Sequence, residues 1–246
     1  MRRWTCILAL CLMPMCRGWC ETIEVFGAED YPGICFIQNG KPAGVFPKIL
    51  AGVSMYSGDT YDLQLLPWKR AQSYAEAGKG GIAHFSKSAE RETQFDYSNA
   101  VYGDRIQLVV LSGHMFDFKG LQDLKGKRIG AKYGASFGEK VDAFFASGDA
   151  TLERDPGTES RLKKLLSDRI DVAVVEGADS HIERLIANDT ELMSKKNQFQ
   201  FLPTPLVDDA LYLAFAKSMN RKAALERFNK GFDQFKKTDA YKKLLP

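Results

Sequence analysis

Residues 45–86 read VFPKILAGVSMYSGDTYDLQLLPWKRAQSYAEAGKGGIAHFS, and the period of this stretch decides the fold. Val45, Ile49, Val53 and Tyr56 recur at helical spacing, and the run stops at Gly58. YDLQLLPW then alternates as a short strand. WKRAQSYAEAGKGG follows as a short helix closed by glycines, which accept the left-handed backbone of a helix end. GIAHFS reads as the next strand. Upstream, Thr22 to Phe26 is a strand that leads into a loop at Glu29–Gly33. The order β-α-β-α-β is that of a mostly parallel sheet with crossover helices, an α/β fold.

Downstream the pattern starts again. Ile106 to Leu111 is a strong strand, then a short helix, a strand at Arg128–Ala131, a glycine-bounded turn and a helix from about Phe137 to Ala146. TESRLKKLLSDRIDVAVVEG predicts a helix with Thr158 as its N-cap and a strand Val172–Val175. SHIERLIAND is helical, QFQFLPTPL extended, DALYLAFAKS a strand, and KAALERFNKGFDQFKKTDAYKKLL a terminal helical pair. A second β/α set thus begins near residue 107, and the last elements are positioned to return to the first set.

Composition fits this reading. The chain has 246 residues, 45% hydrophobic and 26% charged, enough for one large domain or two small ones. The first twenty residues, MRRWTCILALCLMPMCRGWC, have the layout of a cleavable secretory signal peptide, with an apolar run too short to span a bilayer. Cys16 with Gly18, or Gly18 with Cys20, supplies the small residues of a cleavage site. Removing residues 1–20 takes Arg2, Arg3 and Arg17 and no acid, which leaves 31 basic against 31 acidic residues. A neutral mature chain excludes a nucleic-acid surface argued from net charge. Four of five cysteines lie in the leader. Cys35 is then alone, unless cleavage falls before Trp19 and a Cys20–Cys35 bridge becomes conceivable. His84, His114 and His181 form no ligand-spaced pair, so neither metal nor cofactor is expected.

Ligands in open α/β sheets bind beyond the carboxyl ends of strands. Four segments stand there: the Tyr31 loop, the Ser86–Arg91 turn, the Gly134–Gly138 turn, and Glu176. Residues 84–102, HFSKSAERETQFDYSNAVY, gather two serines and an arginine ahead of an aromatic run. FSKSAERETQFDYSNAVY, RIGAKYGASFGEKV and DRIDVAVVEG, in that order, resemble the periplasmic amino-acid-binding proteins of ABC importers, the family 3 extracellular solute-binding proteins.

The resemblance implies a type II periplasmic-binding-protein-like fold. One lobe would be about residues 22–107 plus 206–246 and the other about 108–205, with hinge crossings near Tyr102–Leu108 and Thr204–Tyr212. It also implies a monomer in the periplasm that delivers a small polar solute, an amino acid or related zwitterion, to a membrane permease. Arg91 would grip the α-carboxylate, since its planar fork makes two parallel bonds. Ser86 and Ser88 would bond polar groups, and Ser136 would sit where free helix N–H groups attract an anion. Glu176 would accept from the α-ammonium, and Tyr31 and Trp68 would wall the side chain. Glu176 stands where the family has Asp, and Ala100–Val101 where it has proline. LLPWKRA adds Trp68, Lys69 and Arg70 near the mouth. The competing readings are ordinary ones: a surface Arg91 paired with Glu90 or Glu92, a Glu176 at a helix start, core or rim aromatics, solvated Lys69, Arg70 and Lys87, and a packing His84. Two other functions fit the same fold: a cyclohexadienyl (prephenate/arogenate) dehydratase-like enzyme with Glu176 as general acid, and a ligand sensor for a membrane receptor.

Overall fold

The computed structural model describes residues 20–31, 33–176 and 179–245. The signal peptide expected at residues 1–20 lies, Cys20 apart, outside the described residues. Strands β1 (Thr22–Ala28), β2 (Asp30–Tyr31), β3 (Cys35–Gln38) and β4 (Lys41–Ala43) lead into helix α1 (Val45–Ser57). There follow β5 (Thr60–Leu66), α2 (Trp68–Glu76), β6 (Gly81–Phe85), α3 (Ala89–Gln94) and β7 (Phe95–Tyr97). The long β8 (Tyr102–Leu111) precedes β9 (Arg128–Lys132), α4 (Glu139–Ala146), β10 (Thr151–Asp155), α5 (Thr158–Leu166) and β11 (Val172–Val175). Next are α6 (Asp179–Asn188), α7 (Thr190–Ser194), β12 (Phe199–Phe201), a second long strand β13 (Val207–Ala216), α8 (Lys222–Phe235) and α9 (Asp239–Lys242).

The main sheet runs β10-β9-β11-β8-β13-β6-β1-β5, with β12 added to β8 and β7 to β13; β2, β3 and β4 make a small sheet apart. Each wing is parallel: β1 lies between β5 and β6, and β9 between β10 and β11. The two ten-residue strands in the centre are antiparallel to their neighbours and change partner along their length. Tyr102–Ile106 of β8 pairs with Val207–Leu211 of β13, whereas its later residues pair with β11 and β12. The later half of β13 pairs with β6 and β7. These two strands are the crossings between a first and a second β/α set.

Each set has its own core. Phe26, Phe46, Ile49, Phe85, Leu213, Phe215 and Phe228 belong to the first, where α8 packs on α1 and closes the chain onto its start. Gly52 permits that approach, because a Cβ there would meet the Phe235 ring at 2.3 Å. The second set's part of the main sheet buries both faces, and strand alternation sorts its residues. Ile106, Leu108, Val110, Val172 and Val174 face one cluster, while Val109, Ala173 and Val175 face the other with Leu162 and Leu165 of α5.

Several local expectations change. Thr158 is the first helical residue, fully inside the fold, and Gly157 holds the cap position. Helix α4 begins at Glu139, behind a glycine at φ 86°. The expected loop at 29–33 contains β2. The Ser86–Arg91 turn runs into a short helix, α3, and β10 was without an alternating pattern of its own. Cys20 and Cys35 are both free thiols, so the conceivable bridge between them is not made.

Candidate functional site

The carboxyl ends of β1, β6, β9 and β11 converge on a narrow cleft with about 40 Å³ of free space. Tyr31, Trp68, Ser86, Arg91, Ser136 and Glu176 all line it. Ser88 does not. Its hydroxyl accepts the backbone N–H of Arg91 at 3.3 Å as the N-cap of α3, and it lines an adjoining outer groove. The cap still serves the cleft indirectly, because it fixes the turn that carries Arg91.

Arg91 is buried, and its guanidinium stacks 4.1 Å from the centre of the Phe85 ring. Nη1 donates to the Ser86 carbonyl and Nη2 to the Gly134 carbonyl, both at 3.0 Å. The second bond joins α3 of the first set to the turn after β9 of the second. That turn comes close because Gly134 has no side chain. At φ 72°, a Cβ there would stand 2.8 Å from the Gln72 amide oxygen on α2.

The aromatic wall is built around His84. This residue sits one before the end of β6 with φ 43°, and its Nε2 accepts the Ala28 N–H at 2.9 Å, so its ring proton sits on Nδ1. Trp68, the first residue of α2, packs on it at 5.1 Å between ring centres, and Tyr31 meets it edge-on at 5.2 Å. Burial, aided by Lys132, lowers the His84 pKa to about 3, so the ring is neutral. Tyr31 donates its hydroxyl to Asp104 at 2.8 Å.

Glu176 is buried and already engaged. Its Oε2 accepts from Arg161 Nη1 at 3.4 Å, and Arg161 is fully inside the protein. The same guanidinium bonds Asp155 through Nε and Nη2 at 3.0–3.2 Å and the Val174 carbonyl through Nη1. Ser136 donates its hydroxyl to Asp142, which also accepts the Phe137 N–H at 2.9 Å. The N–H groups expected to attract an anion ahead of α4 are thus answered in part by a carboxylate of that helix.

Sequence reasoning missed Asp30, Asp104, Lys132 and Asp209. Lys132, at the end of β9, is buried and forms an ion pair with Asp30 of β2, again between the two sets. Asp209 lines the cleft from β13 and accepts the Ser86 hydroxyl. Its pKa rises to about 6: burial drives the shift, Asp104 and Glu176 add to it, and the Ser86 bond and Arg91 oppose it. A signal was present in strand phase. Asp104 alternates with Ile106 and Leu108, and Asp209 with Leu211 and Leu213, which places both acids on inward positions.

This chain is similar, at 21% identity over 258 residues, to a Bacillus subtilis (strain 168) protein named Probable amino-acid-binding protein YxeM, with 99% of this chain and 94% of the relative covered. Among solved structures it superposes on AbpA, an amino acid ABC transporter substrate-binding protein from Streptococcus pneumoniae bound to L-arginine. The TM-score is 0.71 at 18% identity, over 91% of this chain and 92% of that chain. It superposes likewise on a histidine kinase sensor domain with similarity to periplasmic binding proteins, at TM-score 0.74 and 22% identity, over 91% of this chain and 93% of that chain. These likenesses agree with the expected two-lobed fold. The family model of the bacterial extracellular solute-binding proteins, family 3, matches residues 23–245, and the chain belongs to that family.

Proposed function

We propose that this protein binds a small polar solute, an amino acid or related zwitterion, between its lobes and delivers it to the membrane permease of an ABC importer. One observation carries the reading: the buried Arg91 guanidinium lines the cleft, and among the described residues its acceptors are neutral carbonyls. A buried cation held this way is a receptor for a carboxylate. Tyr31, Trp68 and His84 supply flat apolar walls beside it.

On this reading the lobes are residues 22–107 with 206–246 and residues 108–205, and the first twenty residues direct the chain to the periplasm, where it acts as a monomer without a cofactor. The dehydratase reading needs an acid–base partner beside Glu176. The group that stands there is the Arg161 guanidinium, which does not exchange protons near neutral pH. We therefore read the cleft as a binding site and not a catalytic one.

A thermal-shift screen of the mature chain tests the proposal, with L-amino acids, amines and small carboxylates as probes. A true ligand at a hundred times its Kd adds about 2.7 kcal/mol of apparent stability. Conversion of prephenate to phenylpyruvate, or stabilisation by no zwitterion at all, would overturn it.

A further inference from the structure

We infer that Asp209, not Glu176, recognises the positive end of the solute, with Arg91 as its counterpart at the negative end. The inference rests on the zwitterion reading and assigns its second contact.

Four charged side chains line the cleft: Arg91, Lys132, Glu176 and Asp209. Two are answered inside the protein. Lys132 pairs with Asp30, and Glu176 pairs with Arg161, which also neutralises Asp155. The other two are not. Among the described residues no carboxylate oxygen lies within 4.0 Å of the Arg91 guanidinium, and no cationic nitrogen within 4.0 Å of the Asp209 carboxylate. Both stand on the same serine: the Ser86 carbonyl accepts from Arg91, and the Ser86 hydroxyl donates to Asp209. A fork of donors and an acceptor-only group, of opposite charge and both bonded to Ser86, match the α-carboxylate and α-ammonium of an amino acid.

The crossing strands add a second reason. Asp209 lies directly opposite Asp104 in the β8–β13 ladder. Like charges opposite one another destabilise a strand pair, and a cation placed between Asp209 and the cleft relieves the repulsion. The groups that face Asp209 are Ser86 beyond β6, Arg91 of α3, Asp104 of β8, Tyr31 of β2 and Glu176 beyond β11. Arg91 is the one cation among them. Protonation of Asp209 near pH 6 removes the acceptor, so affinity for the zwitterion falls as the pH drops through that value.

The test compares D209N and E176Q with the wild type by calorimetry at pH 7.5. The probes are the amino acid giving the largest thermal shift, its 2-hydroxy acid, which keeps the carboxylate but lacks the ammonium, and the corresponding amine. D209N is isosteric and keeps an acceptor for Ser86. We expect it to weaken the amino acid by about 30-fold or more, to change the hydroxy acid by less than about threefold, and to abolish the loss of affinity below pH 6. E176Q should weaken both carboxylates by a similar factor. If D209N keeps the wild-type preference for the amino acid while E176Q loses it, Glu176 reads the ammonium and the assignment to Asp209 is overturned. If the wild type binds no probe that carries an ammonium group, the zwitterion reading falls and the role of Asp209 falls with it.

Discussion

Replacing Arg161 with methionine isolates the buried charge triad behind the cleft. Arg161 has no exposed surface, and its guanidinium serves Asp155, Glu176 and the Val174 carbonyl together. Methionine has a similar length and would fill much of the space, but it leaves two carboxylates without their cation. The Asp155 side chain is 0% exposed and that of Glu176 10%, so water cannot replace the lost partner. Breaking a buried ion pair from one side costs about 3–5 kcal/mol. For a chain of this size about 2–4 °C of Tm corresponds to each kcal/mol, so the expected fall is roughly 6–20 °C at pH 7. Burial raises the Asp155 pKa against the pull of Arg161. Without that pull the carboxyl protonates more readily, and the deficit should shrink as the pH falls. Thermal melts followed by circular dichroism at pH 7 and pH 5 measure this. A triple variant, Arg161→Met with Asp155→Asn and Glu176→Gln, removes the stranded charges and should regain most of the loss. Arg161→Met melting within 2 °C of the wild type would refute the reasoning. A triple variant no better than the single one would show that packing, not charge, sets the cost.

Arg91→Ala should cost about 2–5 kcal/mol of binding to the amino acid found in the thermal-shift screen, because it strands the ligand carboxylate in a dry cleft; calorimetry showing unchanged affinity removes Arg91 from the site. His84 is buried neutral with its pKa lowered to about 3, so its contribution to stability is full above about pH 6.5 and is lost as the pH falls toward 3. Asp209 acts in the opposite sense: its folded pKa of about 6 lies above the unfolded value, so its destabilising effect is present above pH 6 and is relieved on acidification. Urea melts at pH 7 and 4.5 should therefore show a steeper acid loss in Asp209→Asn and a shallower one in His84→Asn than in the wild type, and equal slopes in all three would contradict both shifts. Lys132→Met removes a bridge to the partly exposed Asp30, worth about 1 kcal/mol, and should move the open-to-closed ratio about fivefold toward open, seen as a larger radius of gyration in solution scattering without added solute.

The β/α order was legible because it depends on period alone. Val45, Ile49 and Val53 repeat at helical spacing, and Val172–Val175 is an apolar run short enough to be a buried strand. The small β2–β4 sheet was not legible, since its strands are two to four residues long and fall below any window that detects alternation. β10, TLERD, reads as polar because it is the edge strand of the sheet, paired with β9 alone among the described strands, and Asp155 is its only buried residue. At the site, the positions of Arg91, Ser86 and Glu176 beyond strand ends followed from topology. What each one touches did not. The Ser136–Asp142 bond and the Glu176–Arg161 pair depend on how loops fold back, and nothing in a one-dimensional spacing reports that. Lys132 illustrates the same limit, for its partner lies 102 residues away in the small β2–β4 sheet.

In the proposed closure of the cleft, two kinds of contact would do different work. The Lys132–Asp30 pair and the bond from Arg91 to the Gly134 carbonyl join the two sets through protein groups alone. If the halves open and close around a solute as proposed, these contacts would form whenever they meet and would raise the closed population for every solute equally. A binder that is closed part of the time loses less affinity to the closing step, but gains no selectivity from it. Gly134 and Gly157 set how far the halves can approach, since a Cβ at Gly157 would stand 2.1 Å from the Asp30 carboxylate. Selectivity must come from groups that discriminate between solutes in the closed arrangement. On the proposed function those would be Arg91 and Asp209, which have no oppositely charged partner within 4.0 Å among the described residues. A solute with one charge satisfies one of them and leaves the other buried, at a cost of several kcal/mol. On the proposed function, a solute with two opposite charges at α-amino-acid spacing satisfies both, which would make the pair, and not the latch beside it, the part of the molecule that chooses the solute.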